Sequence, residues 1–320
     1  MTDRQQDLAF TRRQFLTRSA LIGAVAPACR RPARAAGQAK STVNFGFSLY
    51  GMRSLTVAQA LKSCAMIGYD SVELVATSGW SCDPQTLSAQ ARQDIRKQLA
   101  DQGLAVPCLM ENLRLLAADS KHRENLDRLK AAAELGHAVS PDRQPVIETV
   151  LGGRSNEWER THIAMADRLH TWAKVGEASR TIIAIKAHIG GALHTPDDAK
   201  WLHDQIDSPW LKLNYDYSHF QLAGFSLDHS LSTMIADAVF IHVKDRRGKP
   251  GDFEFLLPGE GDIDYSKYFG LLKKYAYSGA VTVEVSGQIH GKPGYDPVAS
   301  ARKSYTNLAP LLKQAGLLGG

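Results

Sequence analysis

The chain has 320 residues, 44% hydrophobic and 22% charged, an ordinary composition for a globular protein with a large core. Its formal net charge of +5 comes from one end: residues 1–36 hold seven arginines and two aspartates, so without them the 38 Lys+Arg and 33 Asp+Glu both fall to 31. A neutral remainder has no charge-based reason to meet nucleic acid or anionic membrane, which require a clustered positive face.

In chain order, the first segment is Thr11-Arg12-Arg13-Gln14-Phe15-Leu16, followed by an apolar stretch from Ala20 to Ala28 and by Ala33-Arg34-Ala35. Paired arginines before a short apolar run and an A-x-A site form the pattern of a twin-arginine export signal, which predicts a periplasmic protein. Pro27, Pro32 and Arg30-Arg31 break any basic amphipathic helix here, and the apolar run is too short to span a bilayer. No later segment is long enough to do so. Cys29, after Ala26-Pro27-Ala28, matches a lipoprotein site poorly. Cys64, Cys82 and Cys108 remain, an odd number without metal-type spacing, and imply no disulfide.

From Asn44 onward eight strand-like runs recur: "NFGFSLYG", "DSVELVA", "LAVPCLM", "QPVIETVLGG", "TIIAIKAH", "WLKLNYDYSH", "AVFIHVKD" and "GAVTVEVSG". Between them lie segments such as "TVAQALKSCAMIG" and "SKYFGLLKKYAY", with apolar residues at three- and four-residue intervals. Thr195-Pro196-Asp197-Asp198 supplies an N-cap, a proline at the first helical position and acid in the first turn. Eight strands alternating with helices predict an α/β protein, a parallel (β/α)₈ TIM barrel filling residues 37–320 as a single domain. No G-x-G-x-x-G follows the first strand, which lowers the nucleotide-binding alternative.

In such a barrel the C-terminal strand ends point into the reaction site. Glu73 lies in strand two, Glu148 in strand four, Lys186 and His188 in strand five, Asp216 and His219 in strand six, His242 and Lys244 in strand seven, and Glu284 in strand eight. One such residue is ordinary, but six of eight strands sharing the habit is not, because buried charge is costly unless paired or metal-bound. Asp216, His242 and Glu284 come from three consecutive strands. Two carboxylates and an imidazole without thiolate suit Mn²⁺, Mg²⁺, Co²⁺, Fe²⁺ or Zn²⁺, with Glu148 as a further ligand. Glu73, His188, His219, Lys244 and Arg247 are candidates for contact with substrate, and Arg246, Arg247 and Lys249 follow strand seven in "KDRRGKPGDFEF". "IHGKPGYDP" and "LGGRSNEWE" read as loops shaping the mouth.

"NYDYSHF", "FIHVKD", "LPGEGDIDY" and "AYSGAVTVEVS", in that order, resemble the sugar isomerase/epimerase superfamily with the xylose isomerase-like barrel. The resemblance covers roughly residues 44–315 in layout and is most specific in the last third of the chain. It implies that Asp216, His242 and Glu284 bind a divalent metal and that His219 contacts a sugar. It also implies a glutamate at the end of strand five, as fourth ligand and proton-transfer base. This chain has Lys186 there.

An ammonium beside a dication is repelled by on the order of 4 kcal/mol or more. Three arrangements are open to Lys186: a charged amine paired with Asp216 or Glu284 where the metal would stand; a neutral amine beside a retained metal, acting as general base; or a Schiff base with a carbonyl substrate. The second is the expectation, with Lys186 and Glu284 as catalytic residues. A side chain reaching the barrel rim is the plainer alternative.

The sequence therefore predicts a metal-dependent enzyme that isomerises, epimerises or eliminates on a non-phosphorylated sugar, keto-sugar or glycoside by abstracting a proton next to a carbonyl. A periplasmic sugar-binding protein descended from such an enzyme is the alternative. An abasic-site nuclease on a similar barrel would need more metal-binding histidines and a reason to meet DNA. Oligomeric state is left open.

Overall fold

The computed structural model describes residues 43–318; the export signal expected at residues 1–36 lies outside the described residues. The eight predicted runs form eight parallel strands of a closed barrel: β1 (Asn44–Ser48), β2 (Ser71–Val75), β3 (Ala105–Asn112), β4 (Val146–Val150), β5 (Ile183–Lys186), β6 (Leu211–Asp216), β7 (Ala238–Val243) and, after an inserted hairpin, β10 (Ala280–Val283). β1 pairs with both β2 and β10, so the sheet has no free edge.

Helices start where local chemistry starts them. Thr56 and Gln59 form a reciprocal capping box on the helix Val57–Ile67. The Thr195 hydroxyl accepts the Asp198 N–H at 3.0 Å ahead of Pro196, as the sequence signalled. The helices cover the barrel's outer face with a continuous apolar core that includes Trp172, Tyr215, Phe220 and Phe269. Inside, Cys108, Phe240 and Ala280, with Val146 against them, form a separate small apolar layer. Filling the barrel with apolar side chains at one level leaves the level toward the strand C-termini for polar ones.

The stretch "DRRGKPGDFEF" after β7 has regular structure of its own. It folds as an antiparallel hairpin, β8 (Asp245–Lys249) with β9 (Asp252–Leu256), in register from Asp245↔Leu256 to Lys249↔Asp252. Gly248 makes it feasible: its φ is +99°, and a Cβ there would lie 2.3 Å from the Asp252 carbonyl oxygen. Cys64, Cys82 and Cys108 are buried free thiols. Among the described residues no helix is long and apolar enough to cross a membrane.

Candidate active site

Register and side-chain alternation bring the predicted residues together. Asp216 on β6 sits opposite His242 on β7, His242 is level with Thr282 on β10, and Lys186 on β5 pairs with Asn214 on β6. Alternation then turns Asn214 and Asp216, His242 and Lys244, and Thr282 and Glu284 to the same side.

At the centre stands the Lys186 ammonium. It donates to Glu284 Oε2 at 2.6 Å and to His242 Nδ1 at 2.9 Å, and lies 3.1 Å from Asp216 Oδ2. Lys244, next along β7, donates to the same two carboxylate oxygens, Asp216 Oδ2 and Glu284 Oε2, the latter at 2.7 Å. Two ammoniums thus face two carboxylates. Burial alone would strip the proton from Lys186, but Glu284 and Asp216 outweigh it and hold its pKa above the ordinary lysine value. Burial would likewise protonate Glu284 and Asp216; Lys186 and Lys244 hold both below the usual carboxylate range.

An ammonium has only donors, so His242 Nδ1 accepts, and its ring proton sits on Nε2, donated to Glu73 Oε2 at 3.0 Å. Glu73 is fully buried behind His242 and does not reach the mouth as the sequence suggested. Glu148 also lies in this inner layer: it accepts from Asn214 Nδ2 at 3.1 Å and groups with Glu73 and His242 rather than with Asp216 and Glu284. Burial pushes the Glu148 carboxyl up to about 7. His242 therefore joins two clusters through its two ring nitrogens.

Toward the opening, His188 and His219 rest with ring centroids 4.2 Å apart. Burial, helped by Lys186 and Lys244, pushes His188 down to about 4, and burial takes His219 well below the ordinary histidine value, so both are neutral imidazoles at neutral pH. Backbone N–H groups of Gly190 and Ile189 donate to their Nδ1 atoms, which places each ring proton on Nε2. His219 Nε2 lies 3.5 Å from Asp216 Oδ2. His188 lines a cavity of about 410 Å³ with His194, Pro250 and Phe253. Glu284, with 12% of its side chain exposed, is the most accessible acid of the cluster, and its hydrogen bonds to described residues all fall on Oε2.

Arg247 does not join this group. It lies on the hairpin, mostly exposed, and donates to the Glu260 carbonyl at 3.0 Å. The strand-like register of β8 was not foreseen from sequence, and it turns this side chain to solvent. Sequence reasoning also missed Asn214, which shares a strand face with Asp216 and was therefore findable by period-two alternation. A further omission is the rim cluster in which Tyr50 stacks on Trp80 at 4.8 Å, His290 meets Tyr50 edge-on at 4.7 Å, and the Arg53 guanidinium lies 4.7 Å from the Trp80 ring.

Donor type and spacing are those a divalent ion would use, since ligand atoms of Asp216, His242 and Glu284 lie within 4.8 Å of one another. Each of those atoms, however, already has an ammonium for partner: His242 Nδ1 has Lys186, Asp216 Oδ2 has Lys244, and Glu284 Oε2 has both. A dication about 3 Å from an ammonium would be repelled by on the order of 10 kcal/mol at an effective dielectric of about 20. The site as it stands does not fit a resident divalent ion. Of the arrangements open to Lys186, the geometry is that of an amine paired with Asp216 and Glu284.

A closed eight-stranded parallel barrel with a charged cluster at its C-terminal mouth defines a TIM-barrel protein with its site in the usual place. The chain belongs to the xylose isomerase-like TIM barrel family, whose model matches residues 61–308. Inosose dehydratase of Geobacillus kaustophilus is 24% identical over 79% of this chain and 85% of its own length. Among solved structures, the IolI protein with a bound zinc atom superposes with a TM-score of 0.71 at 17% identity, covering 85% of this chain and 99% of its own. The apo form of 3-keto-D-glucoside 4-epimerase from E. coli has a TM-score of 0.67 at 14% identity, covering 84% and 99%. The chain thus shares its fold with proteins that include a dehydratase and a 4-epimerase.

Proposed function

We propose that this protein is a periplasmic enzyme, delivered by the twin-arginine pathway, that removes a proton from the carbon beside the carbonyl of a non-phosphorylated keto-sugar or keto-glycoside. Epimerisation, isomerisation and loss of a β-hydroxyl all begin with that step, which is the chemistry common to a dehydratase and a keto-glycoside 4-epimerase. Export favours a neutral substrate, because sugar phosphates are cytoplasmic.

The observation that carries the reading is the sharing of Glu284 Oε2 by Lys186 and Lys244 at the mouth, with Glu284 left partly open. The C–H bond breaks, its proton goes to Glu284, and the electron pair settles on the carbonyl oxygen as an enolate. Negative charge moves from carboxylate to enolate within the field of the same two ammoniums, so the net charge of the cluster does not change during the step. Preorganised positive charge aimed at a developing oxyanion commonly contributes more than any other single effect to such catalysis. Lys244 uses two of its three donors on Asp216 and Glu284, and the third serves the oxyanion. The His188 Nε2–H, at the cavity edge, serves a substrate hydroxyl.

The test is hydrogen exchange in D₂O, followed by proton NMR, over a panel of neutral keto-sugars and keto-glycosides. Deuterium should enter beside the carbonyl of at least one member, and Glu284→Gln should abolish it. Saturable binding by calorimetry with no exchange in any member would overturn the enzyme in favour of a sugar-binding protein.

A further inference from the structure

We propose that the Lys186 and Lys244 ammoniums permanently replace a divalent cation in this barrel, and that the charge of residue 186 alone decides whether the site takes a metal. The inference deepens the reading above, but its test measures bound metal without substrate, so either can fail while the other stands.

Three observations carry it. First, the Lys186 Nζ stands among the very atoms that would ligate an ion: 2.6 Å from Glu284 Oε2, 2.9 Å from His242 Nδ1 and 3.1 Å from Asp216 Oδ2. The first two are hydrogen bonds and the third an ion pair, and an ion at the same point would have to expel the amine. Second, Lys186 has nowhere to go. It is almost wholly buried, β5 ends at this residue, and the next positions are fixed by backbone bonds from His188 to the Leu193 carbonyl and from Gly191 to the His188 carbonyl. Third, the pairing at the mouth is complete without an ion: Lys186 and Lys244 offset Asp216 and Glu284, while Glu73 and Glu148 lie on the far side of His242 in the layer beneath, so a dication would add positive charge beside two ammoniums in a buried site.

The same count predicts the converse. With an acid at position 186, three carboxylates would face Lys244 alone, leaving a double negative charge beside the His242 nitrogen. That is a four-residue, oxygen-rich donor set of the kind Mn²⁺ or Zn²⁺ accepts.

The mature protein, its Lys186→Glu variant and its Lys186→Gln variant should each be equilibrated with Zn²⁺ or Mn²⁺, passed through a desalting column and analysed for metal by mass spectrometry. The wild type is expected to retain less than a tenth of an equivalent and to melt at the same temperature with or without chelator. Lys186→Glu is expected to retain close to one equivalent, to melt higher with metal than with chelator, and to lose the ion when His242→Ala is added. Lys186→Gln controls for folding: having lost the ammonium without gaining an acid, it should bind at least tenfold more weakly than Lys186→Glu. One equivalent on the wild type, removed by His242→Ala, would overturn the proposal. So would a folded Lys186→Glu protein that takes up no ion, or a Lys186→Gln variant that binds as tightly.

Discussion

The buried ion cluster around Arg128 and the one at the mouth of the barrel are built on opposite plans. Outside the strands, Arg128 on the helix Asp119–Val139 donates to Glu111 at 2.5 Å, to Asp83 at 3.3 Å, to Gln85 and to the Ala76 carbonyl. Asp83 in turn accepts the backbone N–H groups of Gly79 and Gln85. One planar guanidinium serves several separate acceptors, each in its own direction. At the mouth, two lysines crowd onto one oxygen of Glu284 and one of Asp216. The first plan spreads charge to hold the loop after β2, the end of β3 and a helix in place. The second concentrates positive charge at one point and leaves an acid partly open, an arrangement that stabilises a fold poorly but can receive a new negative charge. The contrast separates a structural ion cluster from a site without any appeal to sequence motifs.

That distinction fails if the two clusters respond alike to mutation. The largest stability effect belongs to Arg128→Ala, which strands Glu111 and Asp83 in the interior and should cost about 3–5 kcal/mol in urea unfolding. Lys186→Met should cost clearly less than Arg128→Ala in the same experiment, because Lys244 still pairs with both carboxylates, yet it should remove isotope exchange altogether. A loss of stability as large as that of Arg128→Ala would make Lys186 a structural ion.

Acid probes the mouth more finely. His188 is held near 4 in the folded protein and returns to about 6.5 when unfolded, so above that value both states are neutral and its contribution is fully present. As pH falls from about 6.5 toward 4, the unfolded chain takes a proton that the folded site refuses, and stability drops. His219, shifted the same way, adds to the loss. Unfolding at pH 5 should show a decrease of about 2 kcal/mol attributable to His188, which His188→Asn removes. A slope unchanged in that variant would place the effect elsewhere. The smallest change belongs to Arg247→Ala: an exposed hairpin arginine should alter stability by less than about 0.5 kcal/mol.

Much of this was legible in the sequence for a physical reason. Eight apolar runs separated by amphipathic segments specify a barrel almost regardless of detail, and Asp216, His242 and Glu284 converge because strand ends in a closed barrel must converge. Depth was not legible. Period-two alternation says which side a residue faces, but not how far along the staggered strand it sits. Glu73 and Glu148, read as mouth residues, therefore belong to the layer beneath, around His242 Nε2 and Asn214. Nor could the state of Lys186 be read from its own strand, because it depends on carboxylates that reach it from other strands, Asp216 on β6 and Glu284 just past β10. The hairpin was missed because its only local signals, Gly248 and Pro250-Gly251, resemble those of an ordinary loop.

Asp245, the residue after Lys244, accepts the backbone N–H groups of Arg246, Gly259 and Ile263. It ties the base of the hairpin to the "PGEG" turn so closely that a Cβ on Gly261 would lie 2.3 Å from its carboxylate. The main chain carrying the second ammonium is thereby immobilised when the polypeptide folds. The entropy of positioning that charge is lost at that moment, and an arriving ligand finds it already aimed.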